Sequence, residues 1–431
     1  MKNRIVKNAA WIIGCRIVQS LLQLFISMLS ARYLGPSNYG VINYAASLVA
    51  FVLPIMQLGL RAILVQEILK QPEREGETLG TAITLNIFSS ILCMISIAAF
   101  SIVANTGEIV TIIVCILYSI SLIFQAIEMM QYWFQAKLLS KYTSLVMLCA
   151  YIVVSVYKIY LLVSKKGIYW FAISQAIDYA VISLLLLLVY KLLGGQKLSF
   201  SLERGKEMLA QSRFYIVSSM MVTIFAQTDK IMLKFMKGDA AVGQYSAAVA
   251  CAGITGFVFV AIIDTFRPVI LELKKTNHKQ YCEKIILLTS IVFYLSLCQC
   301  VVMTLFSDLI VVILYGSEYS ATSNILKIIV WYTTFSYIGP VRNIWILAEE
   351  KHRYLWIINL SGAIGNIILN FIFIPLVDVR GAAIASLITQ VFTNFVLGFF
   401  IKPISGFNQL MCTGLNPKFV YYQLKKTLKK Y

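Results

Sequence analysis

Stretches of about twenty apolar residues recur along this chain with only short polar gaps between them, and nothing else limits its fold so strongly. A bilayer core of about 30 Å needs roughly 20 apolar residues per helix. Inside it, every backbone N–H and C=O must find a partner within the protein, which favours helices. Twelve stretches can be marked, at about 8–30, 40–64, 80–104, 109–134, 143–163, 168–190, 212–235, 243–265, 284–306, 323–347, 354–376 and 382–401. The 431 residues are 59% hydrophobic and 13% charged, whereas a soluble domain has roughly half and a quarter. An all-α polytopic membrane protein is predicted, and its length counts spans rather than globular domains.

The net charge of +18 raises the question of nucleic acid. With the N-terminus inside, 24 of the 37 lysines and arginines fall in cytoplasmic segments and 5 in outer loops, while the other eight lie inside spans. That asymmetry is the positive-inside pattern, so the basicity is topological and both termini are expected in the cytoplasm. No nucleic-acid partner is needed to explain it. The nine cysteines are scattered, and the Cys298-x-Cys300 pair reads as core or lipid-facing filler. The first stretch follows a basic start but is too long for a signal peptide and is interrupted by Arg16, so it reads as a retained helix.

The two halves of the chain resemble each other. "GPSNYGVINYAAS" (Gly35 to Ser47) lies over "GDAAVGQYSAAVA" (Gly238 to Ala250) at an offset of 203. "WFQAKLLSKY" (Trp133 to Tyr142) lies over "WILAEEKHRY" (Trp345 to Tyr354) at 212, and "VSKKG" (Val163 to Gly167) over "VDVRG" (Val377 to Gly381) at 214. Three matches in order, each in a corresponding inter-helix loop, predict two six-helix lobes related by a parallel pseudo-twofold repeat, an architecture of transporters. The first two offsets differ by nine residues, and "FSDLIVVILYGSEYS" (Phe306 to Ser320) is where the insertion is expected. The polar linker Lys191 to Arg213 marks the boundary, giving an N-terminal lobe 1–205 and a C-terminal lobe 206–431 with a basic tail.

Charges inside the spans carry the functional signal. Eight are basic (Arg16, Arg61, Lys158, Lys230, Lys234, Arg267, Lys327 and Arg342) and four acidic (Glu128, Asp178, Asp229 and Asp264). Each costs about 2.5–3.5 kcal/mol at a helix centre on insertion scales, so they are expected to face one another or a water-filled cavity. Blander readings exist for several. Lys234 sits near a span end and can snorkel; Lys327 and Glu128 can be interfacial. Arg267 can serve topology or pair with Asp264 one helical turn away, and Lys158 can pair with Asp178. Arg16, Asp229 and Lys230 have no such excuse. At the repeat offset, Asp229, Lys230 and Lys234 correspond to Ile26, Ser27 and Ala31, so the fold alone does not require them. The same offset carries Arg61 onto Asp264, an opposite-charge pair expected to face the central cavity.

Arg16, Arg61, Asp229, Lys230, Lys234, Asp264, Arg267 and Arg342 are therefore the candidates for substrate binding and translocation, and Asp178, Asp229 and Asp264 for ion coupling. A mainly cationic cavity suits phosphate. Tyr44, Tyr132, Trp133, Gln135, Tyr245 and Asn343 offer ring faces and polar groups for sugars, although Tyr and Trp near helix ends are commonly belt residues. The implied substrate is an amphiphile with phosphate and sugars. Catalytic residues, metal ligands and cofactors are not expected: the two histidines, His278 and His352, lie in loops, and no phosphate loop, HExxH or GxSxG occurs.

The stretches "ARYLGPSNYGVINYAAS", "QYWFQAKLLSKYT", "TDKIMLKFMKGDAAVGQYSAA" and "NFIFIPLVDVRGAAIASLITQ" resemble the polysaccharide repeat-unit flippases, of the O-antigen or Wzx type, within the multidrug/oligosaccharidyl-lipid/polysaccharide exporter superfamily. The resemblance implies twelve helices around a cavity in the bacterial cytoplasmic membrane. It implies flipping of undecaprenyl-diphosphate-linked oligosaccharide to the outer leaflet by alternating access, for O-antigen, capsule or lipopolysaccharide assembly. It further implies a polysaccharide polymerase and a chain-length regulator as partners, and arginines such as Arg16, Arg61 and Arg267 on the diphosphate. At "IPLVDVRGAA" the chain departs from the glycine-rich turn common in the family. The competing readings are a cation-coupled multidrug exporter of the same superfamily and a membrane glycan polymerase or acyltransferase. A polymerase calls for a large arginine-bearing outer loop and an acyltransferase for an intramembrane histidine, and the sequence has neither.

Overall fold

The computed structural model describes the backbone of residues 2–417 and the side chains of residues 14–417 apart from that of Arg16. The described residues are helical nearly throughout and contain no strand. Nine of their helices are long and apolar enough to cross a membrane, ten with one bent pair counted as a single span. The first helix, α1 (Lys2–Met56), is broken at Gly35 into two arms. Counting the arms separately and including Ser320–Ala348, which carries Lys327 and Arg342, gives the twelve that the sequence marks.

Two compact units divide at Gly243/Gln244. The first contains α1, α2 (Glu75–Ala104), α3 (the helical segments of Ile109–Ala136), α4 (Ser140–Val163), α5 (Ile168–Leu192), α6 (Leu202–Lys237) and the first turn of α7 (Asp239–Ala252). Here α1 packs on α3, α4 and α6, α2 on α3, and α4 on α5. The second unit continues α7 and adds α8 (Gly256–Thr276), bent 46° from it, then α9 (His278–Leu305), α10 (Ser307–Tyr315) and α11 (Ser320–Ala348). It closes with α12 (Leu355–Val377), α13 (Val379–Phe400, containing the π-helical turn Phe392–Val396) and α14 (Ser405–Gly414). In it α9 packs on α11 and α14, and α13 on both α11 and α12.

The repeat is visible in backbone angles. Gly35 (φ 71°, ψ 169°) and Gly238 (φ 84°, ψ −176°) share a conformation open essentially only to glycine. Leu138 (φ 58°) and Glu350 (φ 55°), 212 apart, both take the left-handed conformation. Each sits in the same helix-ending pattern: Leu139 N–H donates to Phe134 O at 2.7 Å, and Lys351 N–H to Ile346 O at 2.9 Å. The third loop keeps less. Its left-handed residues, Lys165 and Asp378, are 213 apart and one step out of register with the 214 offset. The nine-residue insertion is α10, a helix of 9 residues before α11.

Each unit buries a repeat-matched tryptophan. Trp133 packs edge-on against Tyr190 at 4.8 Å between ring centroids, within a core of Leu64, Met130, Phe134 and Leu186. Trp345 sits beside Phe407 within a core of Ile285, Leu288 and Met411. Tyr44, Tyr132, Trp133 and Tyr245 are buried, which corrects their reading as belt residues or sugar-facing aromatics: they fill helix contacts.

The Lys191–Arg213 linker is docked rather than free. A Cβ on Gly76 would lie 2.5 Å from Lys197 O, and one on Gly80 2.5 Å from Ser199 O, so this Gly-x3-Gly face lets the linker backbone lie directly on α2. Gln196 receives Gly76 N–H at 3.1 Å and donates to Pro72 O at 3.0 Å. Beneath it, buried Arg204 meets Glu67 at 3.0 Å and Glu207 at 3.0 Å, with Lys70 on Glu67 at 2.7 Å. Ser212 Oγ donates to Leu58 O at 2.7 Å. These contacts place α6 with the first unit in packing, although the repeat assigns most of it to the second copy.

Candidate functional site

Inside the first unit, both arms of α1 together with α3, α4 and α5 enclose a cavity of about 470 Å³, within the range of roughly 300–1,000 Å³ for small-molecule sites. A stripe at helical spacing, Gln19, Gln23, Ser27 and Ser30, lines one wall. Asn43, Gln175, Tyr118, Tyr151 and Tyr179 line the others. Three ionisable groups face it: Lys158, Asp178 and Glu128. Glu128 accepts from Gln131 Nε2 at 3.2 Å and feels the charge of Arg61. Lys158 and Asp178 sense each other's charge yet close no ion pair among the described residues, and Asp178 Oδ1 is buried without a hydrogen-bond partner. Amides, phenols, a lysine and a buried carboxyl oxygen without a partner, gathered inside an apolar bundle, can bind a polar ligand. Lys158 and Asp178, which the sequence suggested could pair, are thus neighbours that influence each other across one cavity without closing an ion pair. The α1 stripe was readable in the sequence as a 3.6-residue polar period, and sequence reasoning passed over it in favour of charged residues.

The remaining candidates are dispersed. Arg16 lies outside the residues with described side chains. Arg61, in the short helical turn Leu60–Ala62, is exposed. Asp229 is buried on α6, next to Lys230. Lys234, only 5% exposed, is engaged by Glu108 and by Asp239 (2.8 Å), with its ammonium 5.7 Å from the Tyr44 ring centroid. The Lys234 ammonium holds the Glu108 carboxyl, which lies between spans, below the usual carboxylate range. Glu108 was not singled out from sequence, since nothing in its neighbourhood predicts its distant partner.

In the second unit, Asp264 and Arg267 on α8 form a local pair at 3.8 Å with both side chains about half exposed. The helical spacing anticipated that pairing. Arg342 on α11 is 5% exposed and donates from Nη1 to Thr393 O at 2.7 Å, where the π-helical turn of α13 widens the backbone spacing. Its Nε is buried without a partner, and no carboxylate pairs with it among the described residues. Lys327 pairs with Asp308 at 2.9 Å. Glu349, the repeat counterpart of Lys137, takes Lys274 at 2.5 Å and the Tyr281 hydroxyl at 3.0 Å, while Lys137 takes Glu75 at 2.7 Å. The matched positions thus hold residues of opposite charge, each in an ion pair with a different, unmatched partner.

Comparison with known proteins agrees with this architecture. The chain is 23% identical over 409 residues to capsular polysaccharide biosynthesis protein CapF of Staphylococcus aureus, covering 93% of this chain and all of that one. Its fold matches the lipid II flippase MurJ in an inward closed conformation with a TM-score of 0.71, at 16% identity, over 96% of this chain and 92% of that one. It also matches an inward-facing multidrug resistance MATE family transporter of the MOP superfamily with a TM-score of 0.70, at 14% identity, over 91% and 96%. The chain therefore has the fold of these transporters and is a multi-pass membrane protein. Residues 5–274 match the family described as polysaccharide biosynthesis protein, which is more than half of the sequence, and the chain belongs to that family.

Proposed function

We propose that this protein flips undecaprenyl-diphosphate-linked oligosaccharide repeat units from the cytoplasmic to the outer leaflet of the bacterial cytoplasmic membrane. The cavity of amides and tyrosines inside a membrane-spanning unit carries the reading, because such groups, gathered around one open space, recognise hydroxylated ligands. Family membership and the likeness to a lipid II flippase support it. The oligosaccharide crosses by alternating access while the prenyl tail stays in lipid. The diphosphate is drawn along by Arg16, Arg61, Lys230, Arg267 and Arg342, and Lys234 keeps α6 fixed to α7. Asp178, Asp229 and Asp264 are the groups assigned to coupling with an ion gradient. Both termini face the cytoplasm, the lobes divide near residue 205 as the repeat does, and a polymerase and chain-length regulator receive the product.

Deletion of the gene should remove surface polysaccharide and leave lipid-linked repeat units on the cytoplasmic leaflet, with both reversed by the wild-type copy. Unchanged surface polysaccharide in the deletion strain would overturn the reading. The multidrug exporter remains the second reading, favoured by the MATE likeness; it predicts drug hypersensitivity in the same strain with polysaccharide intact.

A further inference from the structure

The cavity of the first unit says which part of such a substrate it takes, an inference that rests on the flippase reading. Of its three ionisable groups, Glu128 already has Gln131 and the Arg61 charge. Lys158 and Asp178 are left as one basic and one acidic group, both lining the cavity, with Asp178 Oδ1 buried and without a hydrogen-bond partner. The two are opposite in sign and balance each other. A ligand with a net negative charge would neutralise Lys158 and be repelled by Asp178; a cation would reverse the problem. A hydroxylated neutral ligand satisfies both, since a hydroxyl can accept from Lys158 Nζ and donate to Asp178 Oδ1. Hydrogen bonds of neutral hydroxyls to charged groups are also the stronger kind. The surrounding Gln19, Gln23, Asn43 and Gln175 supply further donors and acceptors with no charge.

We propose that this cavity binds an uncharged sugar residue of the repeat unit, bridged between Lys158 and Asp178, while the diphosphate stays outside it. Lys158 and Asp178 are thus specificity-determining groups for the sugar rather than members of the phosphate path.

The test uses the full chain in nanodiscs and farnesyl diphosphates bearing N-acetylglucosamine, galactose, glucuronic acid, glucosamine or no sugar, with affinity read by titration calorimetry. At least one neutral-sugar carrier should bind about tenfold more tightly than the bare carrier, and the uronate and amine carriers no more tightly than the bare one. Lys158→Met and Asp178→Asn should each bring the neutral-sugar carrier back to the bare-carrier affinity. The double variant removes both charges together and keeps the cavity balanced. It should melt like the wild type and bind neutral-sugar carriers no more tightly than the bare carrier. Preference for the uronate or for glucosamine would overturn the inference, as would variants that retain the neutral-sugar advantage; in each of those cases the flippase reading stands. Failure of every carrier to bind would remove the flippase reading and this inference with it.

Discussion

Gly40 and Gly243, each five residues into its copy of the same motif, lie against each other's backbone. A Cβ on Gly40 would sit 1.8 Å from Asp239 O and 3.0 Å from Gly243 N, and a Cβ on Gly243 1.9 Å from Pro36 O and 3.1 Å from Gly40 N. Pro36 and Asp239 are themselves a repeat-matched pair, so the contact is reciprocal, as a local twofold requires.

Gly40→Ala and Gly243→Ala should each destabilise the protein by at least about 1–3 kcal/mol, because the added methyl group meets backbone that cannot rotate away. Gly365→Ala, where a Cβ meets nothing within 4 Å, should leave thermal unfolding in detergent unchanged or slightly raised. Equal behaviour of all three variants would contradict the close crossing.

These glycines show what was legible in sequence. The motif spacing predicted the repeat, and Gly35 with Gly238 and Leu138 with Glu350 bear it out in backbone angle, because local conformation follows local residues. The length difference between the copies located α10, and the i,i+3 spacing anticipated Asp264 with Arg267. Long-range choices were hidden. Lys234 meets Glu108 across 126 residues, and Gln196 reaches Gly76 across 120. The cavity was legible only in part: the polar period of α1 is readable, but that Gln175 of α5 and Asn43 beyond the Gly35 break face the same space is not.

Lys234 is buried between one half-exposed and one mostly buried carboxylate, so its two partners should differ in weight. Lys234→Met leaves Asp239 without its counter-charge and should cost roughly 3 kcal/mol. Glu108→Gln, at a side chain 48% exposed, should cost under about 1 kcal/mol. Thermal melts of the two variants check this, and a larger loss from Glu108→Gln would contradict it.

The Glu349 cluster predicts a pH dependence. Burial raises this carboxyl, but the Lys274 ammonium and the Tyr281 hydroxyl outweigh it and hold the group below the ordinary glutamate value. A lowered folded value means the stabilisation is complete above the unfolded value of about 4.3 and is lost as pH falls through the lower folded one. Wild type should therefore lose more stability than Glu349→Gln between about pH 5 and pH 3. Parallel melting curves for the two proteins across that range would show that the cluster contributes nothing.

The docked linker should be protected from proteases in the wild type. Gly80→Ala would push Ser199 O off α2 and should speed limited cleavage near Lys197 by about tenfold, the effect of about 1.4 kcal/mol on a local opening equilibrium. An unchanged cleavage rate would mean that the linker does not depend on this glycine face.

Translocation itself tests the central claim most directly. Purified protein reconstituted into vesicles with a fluorescent undecaprenyl-diphosphate oligosaccharide on the inner leaflet should carry the saccharide to the outer leaflet, where an external lectin captures it. Capture should be far faster than in protein-free vesicles and should fall about tenfold or more in the Lys158→Met/Asp178→Asn double variant. Capture no faster than in protein-free vesicles, with the protein folded and correctly inserted, would contradict the account.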